Sequence, residues 1–248
     1  MDISAAAAAN REQHRSGDGT FGFQGRTAPG GFVVVPALDS WEPNYGDFPY
    51  PQANDIEKVL LVADLVHADV DTADGIATAI SVHPREGDYY ANAAGWLGLV
   101  EKKNDDLGLV TYIPTELGTT IHQSDPAGRA AIVSTMIGRL DDAHLAHEDP
   151  DALRAELEKD GLSPSTAARR TSTMAAWMSS AIDASGFMER INGASADCAA
   201  RADGARVICF EQRKTARAAL AASQPRRGGN CPTCHMEMPL TGECGMCA

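Results

Sequence analysis

No stretch of this 248-residue chain approaches the ~18–20 uninterrupted apolar residues that a bilayer-spanning helix needs. The basic cluster of a secretory leader is also missing: Met1-Asp2-Ile3-Ser4 precedes five alanines, and its one charged side chain is an acid. Base is scarce throughout, with 21 Lys and Arg against 34 Asp and Glu, for a formal charge of −13. That deficit argues against a protein that coats nucleic acid through bulk charge. No glycine-rich phosphate loop, nucleophile elbow or paired-histidine metalloprotease helix occurs. These absences predict a soluble, cytoplasmic protein without enzymatic activity.

What charge there is lies unevenly. Residues 1–197 hold 30 acids and 14 bases, whereas residues 198–248 hold 4 acids and 7 bases. DNA binding therefore stays open, because recognition depends on where charges sit rather than on their sum. Apolar residues make up 44% of the chain, enough to bury a core in one or two domains.

Composition divides the chain into five stretches. Residues 1–53 form an N-terminal arm: its first ~25 residues read as disordered, and its aromatic part, Trp41, Tyr45, Phe48 and Tyr50, reads as packed on the adjoining domain. Residues 54–122 are regularly punctuated. Ile56, Val59, Leu60, Ala63 and Val66 fall at helical spacing after Asp55. Thr72 caps a short helix to Ile80, and Pro84 opens a third helix to about Trp96. Leu99–Lys102 and Leu109–Ile113 read as a hairpin about Asn104-Asp105-Asp106, and Pro114–Gly118 opens another helix.

The strings Thr72-x3-Ile76-Ala77, Asp88-Tyr89-Tyr90-x2-Ala93-Ala94-x2-Leu97-Gly98-Leu99-Val100 and Pro114-Thr115-Glu116-Leu117-Gly118 resemble winged helix-turn-helix domains of bacterial regulators and restriction-associated proteins. The resemblance covers about 70 residues. It implies a mainly α fold with a small β-wing, and either DNA reading or protein docking. In such a domain Arg85, Tyr89 and Asn92 would meet base edges from the second helix of the motif, with Arg85 suited to guanine and Asn92 to adenine. Lys102 and Lys103 at the wing would contact phosphates. Against this, residues 83–106 carry 3 bases and 5 acids, which suits an acidic face that binds a partner protein instead.

Residues 123–190 read as a second helical unit, with helices over Pro126–Leu140, Ala152–Lys159 and from the Ser163 cap to about Ile182. The last pair, joined at Gly161-Leu162-Ser163, reads as a second helix-turn-helix-like element, and Thr166–Trp177 also resembles a segment of restriction-associated proteins. Its Arg169 and Arg170 are candidate phosphate contacts. His144, His147, Glu148 and Asp149 carry metal-ligand chemistry but read as surface residues of a polar loop. Residues 191–230 form a basic connecting region, with a short strand expected at Val207–Phe210 and a helix over Arg213–Ala222. Asp203 and the string Glu211-Gln212-Arg213-Lys214 stand near a Mg-dependent nuclease pattern but carry one residue too many before the lysine.

Residues 231–248 contain Cys231-Pro232-Thr233-Cys234 and Cys244-Gly245-Met246-Cys247. Two Cys-x2-Cys knuckles can place four thiolates tetrahedrally, at ~2.3 Å each, around one structural Zn(II). Metal then supplies the stability that so short a module lacks in core. Two disulfides, a redox couple or an iron site are the other readings of four cysteines; the first is disfavoured without a secretory signal, and the second needs a strand-to-helix setting. Cys198 and Cys209 have no knuckle partner and read as buried thiols. The sequence thus predicts a mainly α chain with a β-wing and a four-cysteine zinc ribbon, binding double-stranded DNA in restriction, phage defence or transcription regulation. A protein-docking scaffold is the competing reading.

Overall fold

Asp55, Thr72 and His83 each end a loop and begin a helix, and their spacing fixes the first half of the fold. The Asp55 carboxylate accepts from the Lys58 amide and starts α1, Ile56–His67. Thr72 Oγ1 accepts from the Gly75 amide and starts α2, Ala73–Ala79. His83 and Glu86 form a reciprocal capping box ahead of Pro84 and start α3, Pro84–Trp96. The computed structural model describes residues 38–223, together with Thr233 and Cys247. The described residues belong to one compact unit.

Helix α1 is the centre of the core. Ile56, Val59, Leu60, Val62 and Ala63 are all but inaccessible, as expected of a helix that is apolar on nearly every side. It touches α3 and, further along the chain, the hairpin and the last helix. After Gly98, at φ +74°, the chain forms an antiparallel hairpin of β1, Val100–Asn104, and β2, Val110–Pro114, with Lys102 opposite Tyr112. Asp105 Oδ1 closes its turn by accepting the Leu107 and Leu109 amides at 2.8 and 3.0 Å. Thr115 donates to the Gly98 carbonyl at 2.6 Å and caps α4, Glu116–Gln123. At the base of this half, Arg129 grips Asp64 through two nitrogens while His122 shares the same carboxylate and stacks on His67 at 4.3 Å.

The second half is wholly helical: α5 Pro126–Ile137, α6 Asp141–Glu148, α7 Pro150–Lys159, α8 Pro164–Ile182 and α9 Ala184–Ser223. Trp177 on α8 donates its indole N–H to the Ala53 carbonyl at 2.8 Å and lies 6.0 Å from Trp96 on α3. That contact joins the halves. The aromatic arm packs here too: Trp41 donates to Leu97 O, Phe48 is buried, and Tyr50 donates to Asp142 at 2.9 Å. Burial and the neighbouring Asp142 push the Tyr50 hydroxyl far above the usual tyrosine range.

Two expectations are corrected. His144, His147 and Glu148, expected with Asp149 in a polar loop, lie in α6, whose Ala143 and Ala146 are buried in the core. The strand expected at Val207–Phe210 does not exist; those residues lie inside the 40-residue helix α9. Helix α9 buries Phe187, Ile191, Cys198, Ala205 and Cys209 while leaving Val207 and Phe210 exposed. That is a helical period, not an alternation of two. The alanine- and arginine-rich sequence on either side outweighs four β-prone residues.

The crossing of α2 and α3 turns on Gly87, where any Cβ would fall inside the van der Waals radius of the Ala73 carbonyl. Gly87→Ala is therefore expected to lower stability by about 1–3 kcal/mol as the helices separate. Gly193, in the body of α9 with nothing near its Cβ position, is the control. Gly193→Ala is expected to raise stability by about 0.5–1 kcal/mol through helix propensity. Urea unfolding followed by circular dichroism compares the two.

Candidate nucleic-acid interface

Arg85, Tyr89 and Asn92 are spaced four and three residues apart on α3, so they share one helix face. Arg85 is exposed at the start of the helix and Tyr89 is 40% exposed one turn later. Asn92 departs from the expectation: it is half-buried, and its amide oxygen is turned inside with no partner among the described residues. The face the structure presents is therefore Arg85 and Tyr89.

The acids of this segment are partly committed to structure. Glu86 accepts from the His83 amide at 2.9 Å in the capping box. Asp88 accepts from the Tyr112 hydroxyl at 3.3 Å and so ties α3 to the hairpin. Burial, then Asp88, raises that phenol well above its ordinary value. Asp105 closes the hairpin turn. Glu101 and Asp106 stay exposed on the hairpin.

Lys102 and Lys103 are both exposed on β1. Successive strand residues point to opposite faces, so they do not form one cationic patch. Lys102 lines a small cavity with Asp74 and Asp88, next to α2 and α3.

The two arginines of α8 also part. Arg169 is exposed. Arg170 is half-buried, donates to the Tyr50 carbonyl and lies over the Tyr50 ring at 5.6 Å. Burial lowers its proton affinity below the usual arginine value. The side chain expected at phosphate thus holds the aromatic arm.

The basic stretch after residue 198 is likewise mostly engaged. Arg201 donates to the Ala79 carbonyl at 2.9 Å, Arg206 pairs with Asp203, and Lys214 pairs with Glu211 at 3.1 Å. Arg213 pairs with Asp71 ahead of α2 and reaches Asp105 in the hairpin at 4.0 Å. It locks α9 to both elements. Arg226 and Arg227 lie outside the described residues. The incomplete nuclease string, Glu211 to Lys214, is one turn of this helix rather than the sequel of a strand.

Sequence reasoning misses an open groove of ≈ 540 Å³ between α9, α2 and the hairpin, walled by Leu109, Val207, Ile208 and Ala219 and rimmed by Asp74 and Glu211. The signal is weak, because a strand at Val207–Phe210 would hide the helical faces of Val207 and Ile208.

Cys231, Cys234 and Cys244 lie outside the described residues, and Cys247 is exposed. No group of three or more His, Cys, Asp or Glu side chains suited to a metal occurs among the described residues. Cys198 and Cys209 are buried, and burial pushes the Cys198 thiol up to about 11. No helix among the described residues is long and apolar enough to cross a membrane.

Residues 58–141 match a family described as "Domain of unknown function (DUF7226)". The match runs from α1 through the hairpin to the first residue of α6. No curated protein and no solved structure matches the chain.

Thiol counting separates the two cysteine classes. If the four C-terminal cysteines hold zinc as the sequence predicts, then with chelator present and the fold intact four thiols are expected to react quickly with a disulfide reagent, and Cys198 and Cys209 only after denaturant is added. Without chelator the four are expected to be protected. Six fast thiols at the outset would contradict both assignments.

Proposed function

We propose that residues 54–122 form a winged helix-turn-helix and that the chain is a non-enzymatic, DNA-binding subunit. The observation that carries this reading is the exposed face of α3, Arg85 and Tyr89, set beside a hairpin with exposed lysines, after two capped helices. In this reading Arg85 donates to a guanine edge, Tyr89 packs on sugar or base, and Lys102, Lys103 and Arg169 meet phosphates. Arg170 serves the fold instead, and Asn92 lies too far inward to read adenine. Cys231, Cys234, Cys244 and Cys247 hold one structural Zn(II), a reading supported by their paired spacing. A sequence-reading or recruiting role in restriction, phage defence or transcription regulation fits such a module. An acidic docking surface for a partner protein is the second reading, favoured by the groove rimmed by Asp74 and Glu211.

Fluorescence anisotropy on duplex DNA across a salt series tests the first reading. Arg85→Ala is expected to cost about 1–3 kcal/mol and to relax sequence preference. Lys103→Ala is expected to weaken all duplexes alike and to reduce the salt slope by about 1. Arg170→Ala is expected to lower thermal stability. Absence of binding at low salt would remove the DNA reading and leave the docking surface.

A further inference from the structure

Helix α9 carries two seams. The inner one, Ile191, Cys198, Ala205 and Cys209 with half-buried residues between, repeats at alternating steps of three and four and packs on its own domain. The outer one has the same spacing: Asp203, Val207, Phe210, Lys214, Arg217 and Ala221. All six are exposed, and Val207 and Phe210 are each 60% so. Three-four spacing is that by which one helix meets another, and here two large apolar residues, Val207 and Phe210, stand between charged ones, Asp203 on one side and Lys214 and Arg217 on the other.

The charges say which helix. Of the six cations on α9, Arg190, Arg201, Arg206, Arg213 and Lys214 each have a partner within the chain. Arg217, one turn from Lys214, has none among the described residues. An antiparallel copy of α9 about a twofold axis at Lys214 supplies one. It sets Glu211 opposite Arg217, Val207 opposite Ala221, and Phe210 over the small Ala218 and the Arg217 guanidinium. Lys214 meets its copy on the axis, already paired with its own Glu211 at 3.1 Å. A parallel in-register pairing leaves Lys214 in the same position but stacks Arg217 on Arg217 and sets Glu211 beside Glu211, so Arg217 gains no acid. Charge therefore selects the antiparallel register.

We propose that the chain forms a twofold homodimer through the outer seam of α9, with Phe210 as its apolar anchor and Glu211–Arg217 as its reciprocal ion pair. The isologous arrangement closes on itself, because each residue meets its counterpart's partner. The proposal does not depend on whether α3 reads DNA.

Sedimentation equilibrium of the full chain, without DNA, tests it. The wild type is expected at the mass of two 26.2 kDa chains. Phe210→Asp is expected to run as one chain with its helical circular dichroism unchanged, since the residue touches little in its own fold. Glu211→Arg and Arg217→Glu are each expected to weaken the dimer at least tenfold. Mixed in equal amounts they are expected to recover it, because both ion pairs re-form across the heterodimer. A monomeric wild type, as when the chain's own tail covers the seam, would overturn the proposal. So would a dimer indifferent to Phe210→Asp, or two charge variants that fail to rescue each other.

Discussion

The contact between α2 and α3 at Gly87 governs what this molecule can present. Backbone there approaches backbone, with no room for a side chain. The approach draws α2 under the N-terminal half of α3 and leaves Arg85 and Tyr89 on the open side. On its far side α2 meets α9 just as closely: Cys209 Sγ sits 3.2 Å from the capping oxygen of Thr72, and a Cβ on Gly75 would overlap it. A two-turn helix with little stability of its own is thus held between two longer ones. The Arg213–Asp71 pair and the reach to Asp105 then extend the hold to the hairpin. Helix, hairpin and long helix are fixed as one object.

This arrangement changes the meaning of the net charge. A formal −13 spread evenly would repel nucleic acid, yet several acids near α3 serve the fold as caps and ties. Glu86 closes the capping box, Asp88 receives Tyr112, and Asp71 and Asp105 face Arg213. Each is directed at a donor within the fold. Arg85 is left without such a role, and so is Lys103. In the proposed DNA-binding reading such a surface would act through a few placed cations, with weak non-specific attraction to anions.

Much of the first half is legible in the sequence because its punctuation is chemical. Asp55, Thr72, His83-Pro84 and Thr115 are caps whose hydrogen bonds form within a few residues, so local sequence suffices to place them. The second half depends on partners far along the chain. Residues 141–148 contain acids and histidines that suit a loop, and only the burial of Ala143 and Ala146 makes them a helix. Val207–Phe210 is β-prone in isolation, but the helix-forming sequence around it carries it into α9, where Cys209 packs against Thr72 at the start of α2. Arg170 beside Arg169 looks like a cationic pair, and nothing local reveals that Tyr50, 120 residues earlier, claims one of them. For the candidate interface the helix face can be read from the sequence, but the inward turn of Asn92 cannot.

If α3 and the hairpin form the surface that meets duplex DNA, hydrogen–deuterium exchange of the full chain with and without a bound duplex reads that surface directly. Slower exchange is expected over residues 84–92 and 100–114, with the amides of α5 to α7 unchanged. Protection confined to α9 and the groove beside Leu109, with α3 unaffected, would contradict the DNA-reading role of α3 and move the functional surface to α9 and its groove.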